Sequence, residues 1–324
     1  MSASGRKRIL ALAGGVGGAK LAHGLAQICA PEDLTVVVNT GDDFEHLGLP
    51  ICPDLDTVMY TLAGLANPAT GWGRRDETWQ FMNALERLGG PSWFRLGDLD
   101  MATHVARHEK LRHGASLSDA TTALYRALDV AHAVAPMSDQ PVRTIVHSDE
   151  GELPFQEYFV RRQCAPRVQR FAFDGAEQAR PSAAFAAALA DTELAAIVIC
   201  PSNPFVSVAP ILAVPGVEAA LRRNAAPKIA VSPIVGGQAI KGPAAKMMRE
   251  LNLDCSARGI ADWYGARIDA LVLDREDAGL ESAIRSRGTA TLACNTVMRS
   301  DHDRAALAQA VLTFAATLPR GVAR

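Results

Sequence analysis

Two short acidic segments near the N-terminus carry the type of side chain that holds a divalent cation. Asp42 and Asp43 lie in the segment NTGDD. Asp54 and Asp56 follow in CPDLDT, so four carboxylates fall within fifteen residues. At a dry site these charges would repel one another, and Mg²⁺, which prefers carboxylate oxygens together with substrate phosphates, would relieve that repulsion. The spacing predicts a magnesium site with one or two of the four acids as ligands.

Asp54 and Asp56 are also the candidate catalytic residues. Their segment is compatible with two conformations. In an extended segment both side chains point the same way, with Leu55 turned inward. Alternatively, one of them caps a helix that starts near Thr57, a common structural role of aspartate. Neither acidic segment contains a lysine or an arginine that would neutralise these charges locally.

A glycine-rich segment, GGVGGAK, follows the first predicted strand. Glycines let backbone N–H groups approach a phosphate, and the start of a helix adds a partial positive charge. The segment fits neither a Walker A loop, because Ala19 separates Gly18 from Lys20, nor the G-x-G-x-x-G fingerprint of dinucleotide-binding proteins. A tight turn without a ligand is the alternative. The candidate ligand contacts are Gly14, Gly15, Gly17, Gly18 and Lys20.

Polar side chains also collect in three later segments. The small donors of PSNPFVS and SPIVGG suit a nucleotide or a phosphate, although each segment could simply join a strand to a helix. Near LGDLDMATH, the side chains of Arg95, His104 and Arg107 could hold a phosphate or a carboxylate. An isolated histidine is more often a structural hydrogen-bond partner than a general base. Further candidate substrate contacts are Asn39, Thr40, Asp98, Thr103, Ser202, Asn203, Pro204, Ser207, Ser232, Pro233, Gly236 and Gly237.

Alternating strands and helices must position these segments. Short apolar runs rich in β-branched residues predict an α/β fold, with a Rossmann-like, mostly parallel sheet and helices on both faces. The predicted strands are residues 9–13, 34–39, 195–200, 228–232, 270–273 and 290–293, with a hairpin at 144–147 and 157–162. A turn is predicted at 14–18, and helices at 20–29, 55–65, 77–88, 118–128 (with Ser118 as N-cap), 243–251, 280–286 and 301–317. We predict one domain over residues 1–324, with a mainly helical insertion around 100–143.

Composition excludes several classes of protein. Hydrophobic residues make up 48% of the 324 residues, too many for a disordered chain. The net charge of −2 is spread along the chain and does not indicate a nucleic-acid partner. Six widely spaced cysteines predict reduced thiols in the cytoplasm. Arg6, Lys7 and Arg8 imitate the start of a signal peptide, but glycines and Lys20 break the apolar run that follows, so we expect no signal and no membrane span.

Together these segments carry a family resemblance. In chain order they are GGVGGAK, NTGDD, ICPDLDT, GWGRRDETW, LGDLDMATH, PSNPFVS and SPIVGG. The chain resembles the 2-phospho-L-lactate transferase family over nearly its whole length, and the run ICPDLDTVMYTLAG followed by GWGRRDETW is the most specific part.

The resemblance implies a role in the biosynthesis of coenzyme F-420. In that family 2-phospholactate, phosphoenolpyruvate or phosphoglycerate moves from a guanosine diphosphate donor to the terminal hydroxyl of the deazariboflavin Fo, GMP leaves, and Mg²⁺ is required. The acids of NTGDD and CPDLDT would lie at the metal and Fo site, with Asp56 as a candidate base. The loops at 202–207 and 232–237 would hold the guanosine diphosphate, and a homodimer is implied.

Two other functions compete with this interpretation. A related family with the same fold contains regulatory proteins that bind nucleotide sugars, but GWGRRDETW and LGDLDMATH favour the transferase. A nicotinamide-dependent dehydrogenase would need the fingerprint that is missing here. The sequence does not distinguish the three acids.

Overall fold

Parallel strands form the central sheet of the protein, which a computed structural model describes over residues 8–321. Arg6 and Lys7 of the basic N-terminus lie outside the described residues. Within that range the strands are β1 (Arg8–Ala13), β2 (Leu34–Val38), β3 (Phe44–His46), β4 (Leu49–Ile51), β5 (Ala133–Pro136), β6 (Arg143–Ser148), β7 (Gly151–Pro154), β8 (Val168–Asp174), β9 (Leu194–Ile199), β10 (Lys228–Val231), β11 (Ile234–Val235), β12 (Gln238–Ala239), β13 (Ala270–Asp274) and β14 (Ala290–Cys294).

The helices in the same range are α1 (Gly15–Ile28), α2 (Pro53–Leu62), α3 (Gln80–Arg87), α4 (Asp98–Arg112), α5 (Leu117–Ala127), α6 (Ala183–Ala190), α7 (Ala209–Ala213), α8 (Val217–Arg223), α9 (Ala244–Glu250), α10 (Ala257–Tyr264), α11 (Glu281–Arg285) and α12 (Asp301–Ala315). Among the described residues, no single helix has the length and apolar character to cross a membrane. One bent pair of helices, at 204–213 and 217–223, has together the length and the apolar composition of a membrane span.

The order of strands in the main sheet determines where a ligand can bind. That order is β14-β13-β10-β9-β1-β2-β5, and all neighbouring strands are parallel. The chain builds outward from β1 through β2 to β5 on one side, and from β9 to β14 on the other. The strand order therefore reverses between β1 and β9. In open parallel sheets, ligands bind beyond the carboxyl ends of the strands at such a reversal.

Alternating side chains on β1 divide the core between the two faces of the sheet. Leu10 and Leu12 pack into a cluster that includes buried side chains of α6 to α11. Ile9 and Ala11 point the other way, into a cluster with α1, α2, α5 and α12. This arrangement confirms the predicted Rossmann-like sheet covered by helices on both faces.

Two predicted elements differ in the structure. The expected insertion around 100–143 includes Ala133–Pro136, which is β5, the edge strand of the main sheet, so the prediction was wrong there. The expected strand at 157–162 is a π-helical turn, Glu157–Arg161. Phe155 and Tyr158 are both buried, and that three-residue spacing is helical. The hairpin partners of β6 are instead β7 and β8, in a separate antiparallel sheet.

Several helices begin earlier than predicted. Gly15–Ile28 is helical, so the turn predicted at 14–18 is wrong: its last four residues open α1. Pro53 starts α2, as proline does readily at a first helical position, because its fixed φ suits the helix. Ser116, rather than Ser118, is the N-cap of α5, in a reciprocal capping box with Asp119.

Replacing Gly17 by alanine tests the close junction of α1 with the chain after β9. A Cβ atom at Gly17 would overlap the carbonyl oxygen of Pro201. We expect Gly17→Ala to lower the free energy of unfolding by about 1–3 kcal/mol, because an overpacked site forces the backbone to shift. Gly279→Ala is the matched control, since no described atom lies within 4 Å of its Cβ position. Equal urea midpoints for the two variants would contradict this packing.

Candidate active site

The start of α1, the start of α2 and the chain after β9 meet at the reversal point of the sheet. The Gly14 amide donates a hydrogen bond to Ser202 Oγ over 3.0 Å, and Ser202 Oγ donates to the Gly14 carbonyl over 2.8 Å. A side chain at Gly14 has no room, since its Cβ would lie 2.6 Å from Asp54 Oδ2 and 2.7 Å from Ser207 Cβ. The glycine therefore lets three polar side chains approach one point of the backbone.

Asp42 and Asp54 form a pair of carboxylates that share one amide group. Asn39 Nδ2 donates to Asp42 Oδ1 over 3.0 Å and to Asp54 Oδ2 over 2.9 Å. The other oxygen of Asp54 accepts a hydrogen bond of 2.6 Å from the Gly15 amide. All three side chains are buried. Neutral donors thus hold two acids together inside the protein.

Burial shifts the ionisation of these acids toward their neutral forms. Burial first, and then the carboxylates of Asp54 and Asp43, raises the pKa of Asp42 well above its ordinary value. Burial raises the pKa of Asp54 to about 6, although hydrogen bonds from Asn39 and Gly15 oppose the shift. Burial also raises the pKa of Asp43 to about 7. The cation of Arg143 lowers the pKa of Asp42 and Asp43, but burial outweighs it, so a further positive charge would stabilise the ionised acids at neutral pH.

The donor set fits a hard divalent cation. The carboxylates of Asp42 and Asp54 lie side by side with neutral hydrogen-bond donors between them. Among residues 8–321, Asp43 Oδ1 and Thr40 Oγ1 are further buried oxygens of the same loop that have no hydrogen-bond partner. Carboxylate and hydroxyl oxygens are the kind of ligand that Mg²⁺ prefers.

Asp56 belongs to a different cluster. The extended interpretation of its segment is wrong, because Asp54 and Asp56 lie in the first turn of α2, where residues two apart face different sides. Arg107 Nη1 donates to Asp56 Oδ2 over 3.1 Å, and Arg107 Nη2 contacts Asp56 Oδ1. The carboxylate that Arg107 holds belongs to the protein itself, on Asp56. Arg107 supplies the neutralising charge that the acidic segments lack locally.

His104 lies in the same buried cluster, next to Thr103 on α4. Its Nδ1 is 3.7 Å from Asp56 Oδ2, and its Nε2 is 3.4 Å from Asp100 Oδ2. Tyr60 donates a 2.6 Å hydrogen bond to the other oxygen of Asp100. These contacts match the structural alternative for His104 more closely than the role of a general base.

Arg95 and Asp98 are engaged with their own surroundings. The guanidinium of Arg95 stacks over the ring of Trp79, 4.4 Å from its centroid. Asp98 accepts hydrogen bonds from the Gln80 and Phe81 amides over 3.1 and 3.0 Å, and so caps α3. Glu77 caps α4 in return, by accepting from the Leu99 and Asp100 amides. Asp98 therefore has a structural role, as a cap of α3.

The segment after β9 reaches the Gly14 junction, whereas the segment after β10 folds on itself. Asn203 Oδ1 accepts from the Phe205 amide over 3.0 Å and starts the π-helical turn Pro204–Val208, which contains Ser207. Ser232 and Pro233 lead into a hairpin of β11 and β12 with Gly236 and Gly237 at its tip, both at positive φ. Such a two-residue turn requires glycine-like conformations for structural reasons. The Gly236 amide donates to Asp277 Oδ2 over 3.1 Å.

Lys20 turns toward the chain before α12. Its ammonium donates to the Met298 carbonyl over 2.9 Å. Burial lowers the pKa of Lys20, and the nearby cations of Arg304 and Lys241 lower it further. Lys241 also donates to the carbonyl of Thr70, so two surface loops meet near the start of α1.

Sequence reasoning missed some residues around the acids. Gln156 Nε2 donates to the Asp42 carbonyl over 3.0 Å from 114 residues away, and no local pattern indicates that contact. Asp100 and Tyr60 also join the cluster of Asp56. Asp100 carried one signal, its spacing of four residues from His104 within the predicted, mainly helical insertion, since that spacing brings two side chains to one face of a helix.

Comparison with known proteins gives the family. The family model described as 2-phospho-L-lactate transferase CofD matches residues 9–314. The chain belongs to the 2-phospho-L-lactate transferase family. This confirms the predicted resemblance and the predicted transfer of a phospho-acid in coenzyme F-420 biosynthesis.

Members of the family with two different names are similar to this chain. A phosphoenolpyruvate transferase of Streptomyces griseus is 40% identical over 314 residues, which cover 95% of this chain and 98% of the relative. A 2-phospho-L-lactate transferase of Methanococcoides burtonii is 38% identical over 293 residues, 90% of this chain and 94% of the relative. A solved UPF0052 family protein of Bacillus halodurans has a TM-score of 0.62, covering 95% of this chain and 99% of its own. At 14% identity, that likeness shows the fold alone.

The raised pKa of Asp54 predicts how the stability of this transferase depends on pH without divalent cations. The folded-state pKa of about 6 exceeds the ordinary value of 3.8, so the folded protein binds more protons between these values. That contribution to stability is complete below the lower value and is lost as the pH rises through the higher one. We expect the free energy of unfolding in EDTA to fall between about pH 4 and about pH 7, and less steeply in Asp54→Asn.

Urea titrations at these pH values measure this dependence. Asp76→Asn is the matched control, because the Asp76 side chain is 88% exposed and asparagine tolerates its positive φ. The control should keep the wild-type slope. An Asp54→Asn slope as steep as that of the wild type would contradict the burial of an ionising Asp54.

Proposed function

We propose that this protein joins a three-carbon phospho-acid to the deazariboflavin Fo, taking it from a guanosine diphosphate donor and releasing GMP. The observation that carries the proposal is the carboxylate pair of Asp42 and Asp54, bridged by Asn39 beside the glycine-rich start of α1. Phosphoryl-type transfer asks a protein chiefly to align two oxygens and to neutralise negative charge. The names of the relatives support the chemical class of the transferred group.

Asp42 and Asp54 are the residues we assign to Mg²⁺. The bound ion would neutralise phosphate charge and ease the departure of GMP. Asn39 keeps the two carboxylates together, and the Gly15 amide orients the second oxygen of Asp54. This makes the protein a magnesium-dependent transferase of phosphorus-containing groups.

The start of α1 is assigned to the phosphates of the donor. Gly15 has a φ of +63°, and among the described residues no atom outside its chain neighbours and its own helix backbone lies within 4 Å of its Cβ position, so space is left beside the amide that binds Asp54. A helix N-terminus favours negative charge. Gly17 and Gly18 instead pack against Pro201 and Ser202, and so they fix the junction.

Asp43 is a better candidate than Asp56 for the general base that accepts the proton of the attacking hydroxyl. Both oxygens of Asp56 contact Arg107, and a carboxylate held in this way is a poor proton acceptor. Asp43 Oδ1 is buried without a partner among the described residues, and burial raises the pKa of Asp43 to about 7. General bases act best when their pKa lies near the working pH.

A cytoplasmic location and a homodimer complete the proposal. All six cysteines are free, which supports a reducing compartment. The homodimer rests on the family resemblance.

Turnover with three candidate donors tests the proposed function. Purified protein is mixed with Fo, Mg²⁺ and the guanosine diphosphate derivative of lactate, enolpyruvate or glycerate, and GMP and the Fo-linked product are followed by mass. We expect product with at least one donor, because relatives of two names are nearly equally similar to this chain. No product with any donor, together with tight binding of a nucleotide sugar, would favour the regulatory alternative.

Asp54→Asn tests the assignment of the metal ligand in the same assay. We expect its kcat to fall about 100-fold or more, since a buried ligand to the charge-neutralising ion is lost. The variant should remain folded, because asparagine has nearly the same shape. Asp76→Asn again serves as the exposed control. Wild-type turnover of Asp54→Asn at saturating Mg²⁺ would remove Asp54 from the mechanism.

A further inference from the structure

A buried ion pair next to the carboxylate pair distinguishes Asp56 from Asp54. Arg107 of α4 reaches the first turn of α2 and contacts both carboxylate oxygens of Asp56. Arg107 is 2% exposed and Asp56 is 5% exposed. Unpaired charges at such depth cost several kcal/mol, so the two side chains depend on each other. Burial opposes the charged guanidinium, but Asp56 together with Cys52 and Tyr60 raises the pKa of Arg107 on balance.

Asp54 has a different set of partners. Its oxygens accept from the amides of Gly15 and Asn39, which are neutral donors. A divalent cation at Asp54 would therefore meet uncompensated negative charge. A cation at Asp56 would meet a guanidinium already bound there, and like charges about 4 Å apart repel strongly in a protein.

The ligand atoms of Asp56, Asp100 and His104 also lie close enough for a cation. Atoms of these three residues lie within 4.8 Å of one another. Arg107, however, donates to His104 Nδ1 over 3.2 Å as well as to Asp56. The guanidinium thus already supplies a positive charge to this cluster, in the place where a metal ion would bind.

Arg107 also joins separate elements. It donates to the carbonyl of Pro50 in β4 over 3.4 Å, in addition to Asp56 in α2. α4 lies outside the main sheet, so one side chain fastens it to the hairpin of β3 and β4 and to the helix that carries Asp54. A change at Arg107 therefore acts on the first turn of α2.

We propose that Arg107 is a positioning residue that fixes the first turn of α2, and with it the Asp54 carboxylate, while Asp56 serves as its counter-ion and not as a metal ligand. The kinetic part of this inference rests on the proposed function. The metal-binding part does not, because it needs no substrate.

A charge-balanced double variant, Asp56→Asn with Arg107→Gln, tests the role of Asp56. It removes both charges and leaves two amides that can still pair. Mg²⁺ binding is measured by calorimetry on the whole protein without substrates, and circular dichroism confirms folding. We expect the double variant to bind one Mg²⁺ with a Kd within about tenfold of the wild type, because the paired amides still hold the first turn of α2, and Asp54→Asn to bind about 100-fold more weakly. Equal loss in the two proteins would make Asp56 a ligand and overturn the proposal.

Single variants test the positioning role of Arg107. We expect Arg107→Gln to lower kcat by about 10- to 100-fold, with the donor KM changed less than about threefold, as for partners that orient a ligand. Arg107→Lys, which keeps the charge but not the two-pronged contact, should lose less, and it replaces Arg107→Gln if that variant does not fold. The double variant should recover part of the loss, because no unpaired charge is left buried.

The kinetics of the Arg107 variants and the turnover of the wild type test two different statements. Wild-type kcat in Arg107→Gln, or a double variant that is slower than Arg107→Gln, would overturn the positioning role. A wild-type protein that binds Mg²⁺ but transfers no phospho-acid would contradict the proposed function and leave the calorimetric comparison intact.

Discussion

Two buried carboxylates, on Asp42 and Asp54, share the amide of Asn39, and much of the surrounding structure serves that contact. Asn39 directly follows β2, Asp54 opens α2, and the Gly15 amide at the start of α1 takes the second oxygen of Asp54. Like charges in a dry place cannot both ionise without compensation. Burial raises the pKa of both acids, repulsion by Asp54 and Asp43 adds to the shift of Asp42, and a bound divalent cation would offset these effects. Binding of a cation is therefore favoured beside Asp42 and Asp54.

The topology of the sheet explains why this point lies where it does. The chain reverses its direction of growth between β1 and β9, and the segments that follow both strands close on each other through Gly14 and Ser202. Glycines without side chains allow that approach, which leaves the open start of α1 beside the carboxylate pair. A phosphate that binds the helix start and a metal that binds the acids would be neighbours, as transfer of a phospho-acid requires.

Local sequence patterns predicted the strands of the sheet, whereas contacts between distant residues determine which side chains surround each acid. The β-branched apolar runs and the polar segments after them gave the strands and the positions of Asp42 and Asp54. The same reasoning missed the partner of Asp56, because Arg107 lies 51 residues away on another helix. It treated the four acids as one set, although the helical start at Pro53 turns Asp54 and Asp56 to different sides. The polar segments were also ambiguous: Asp98 caps a helix that begins 18 residues earlier in the chain, and no local pattern indicates that contact.

Crystals grown with Mn²⁺ in place of Mg²⁺, and measured at an anomalous wavelength, test the central claim most directly. The carboxylate pair predicts one strong peak at coordinating distance, about 2.1–2.2 Å, from oxygens of both Asp42 and Asp54, with Asp56 still on Arg107. A peak among Asp56, Asp100 and His104, with Arg107 displaced, would contradict it.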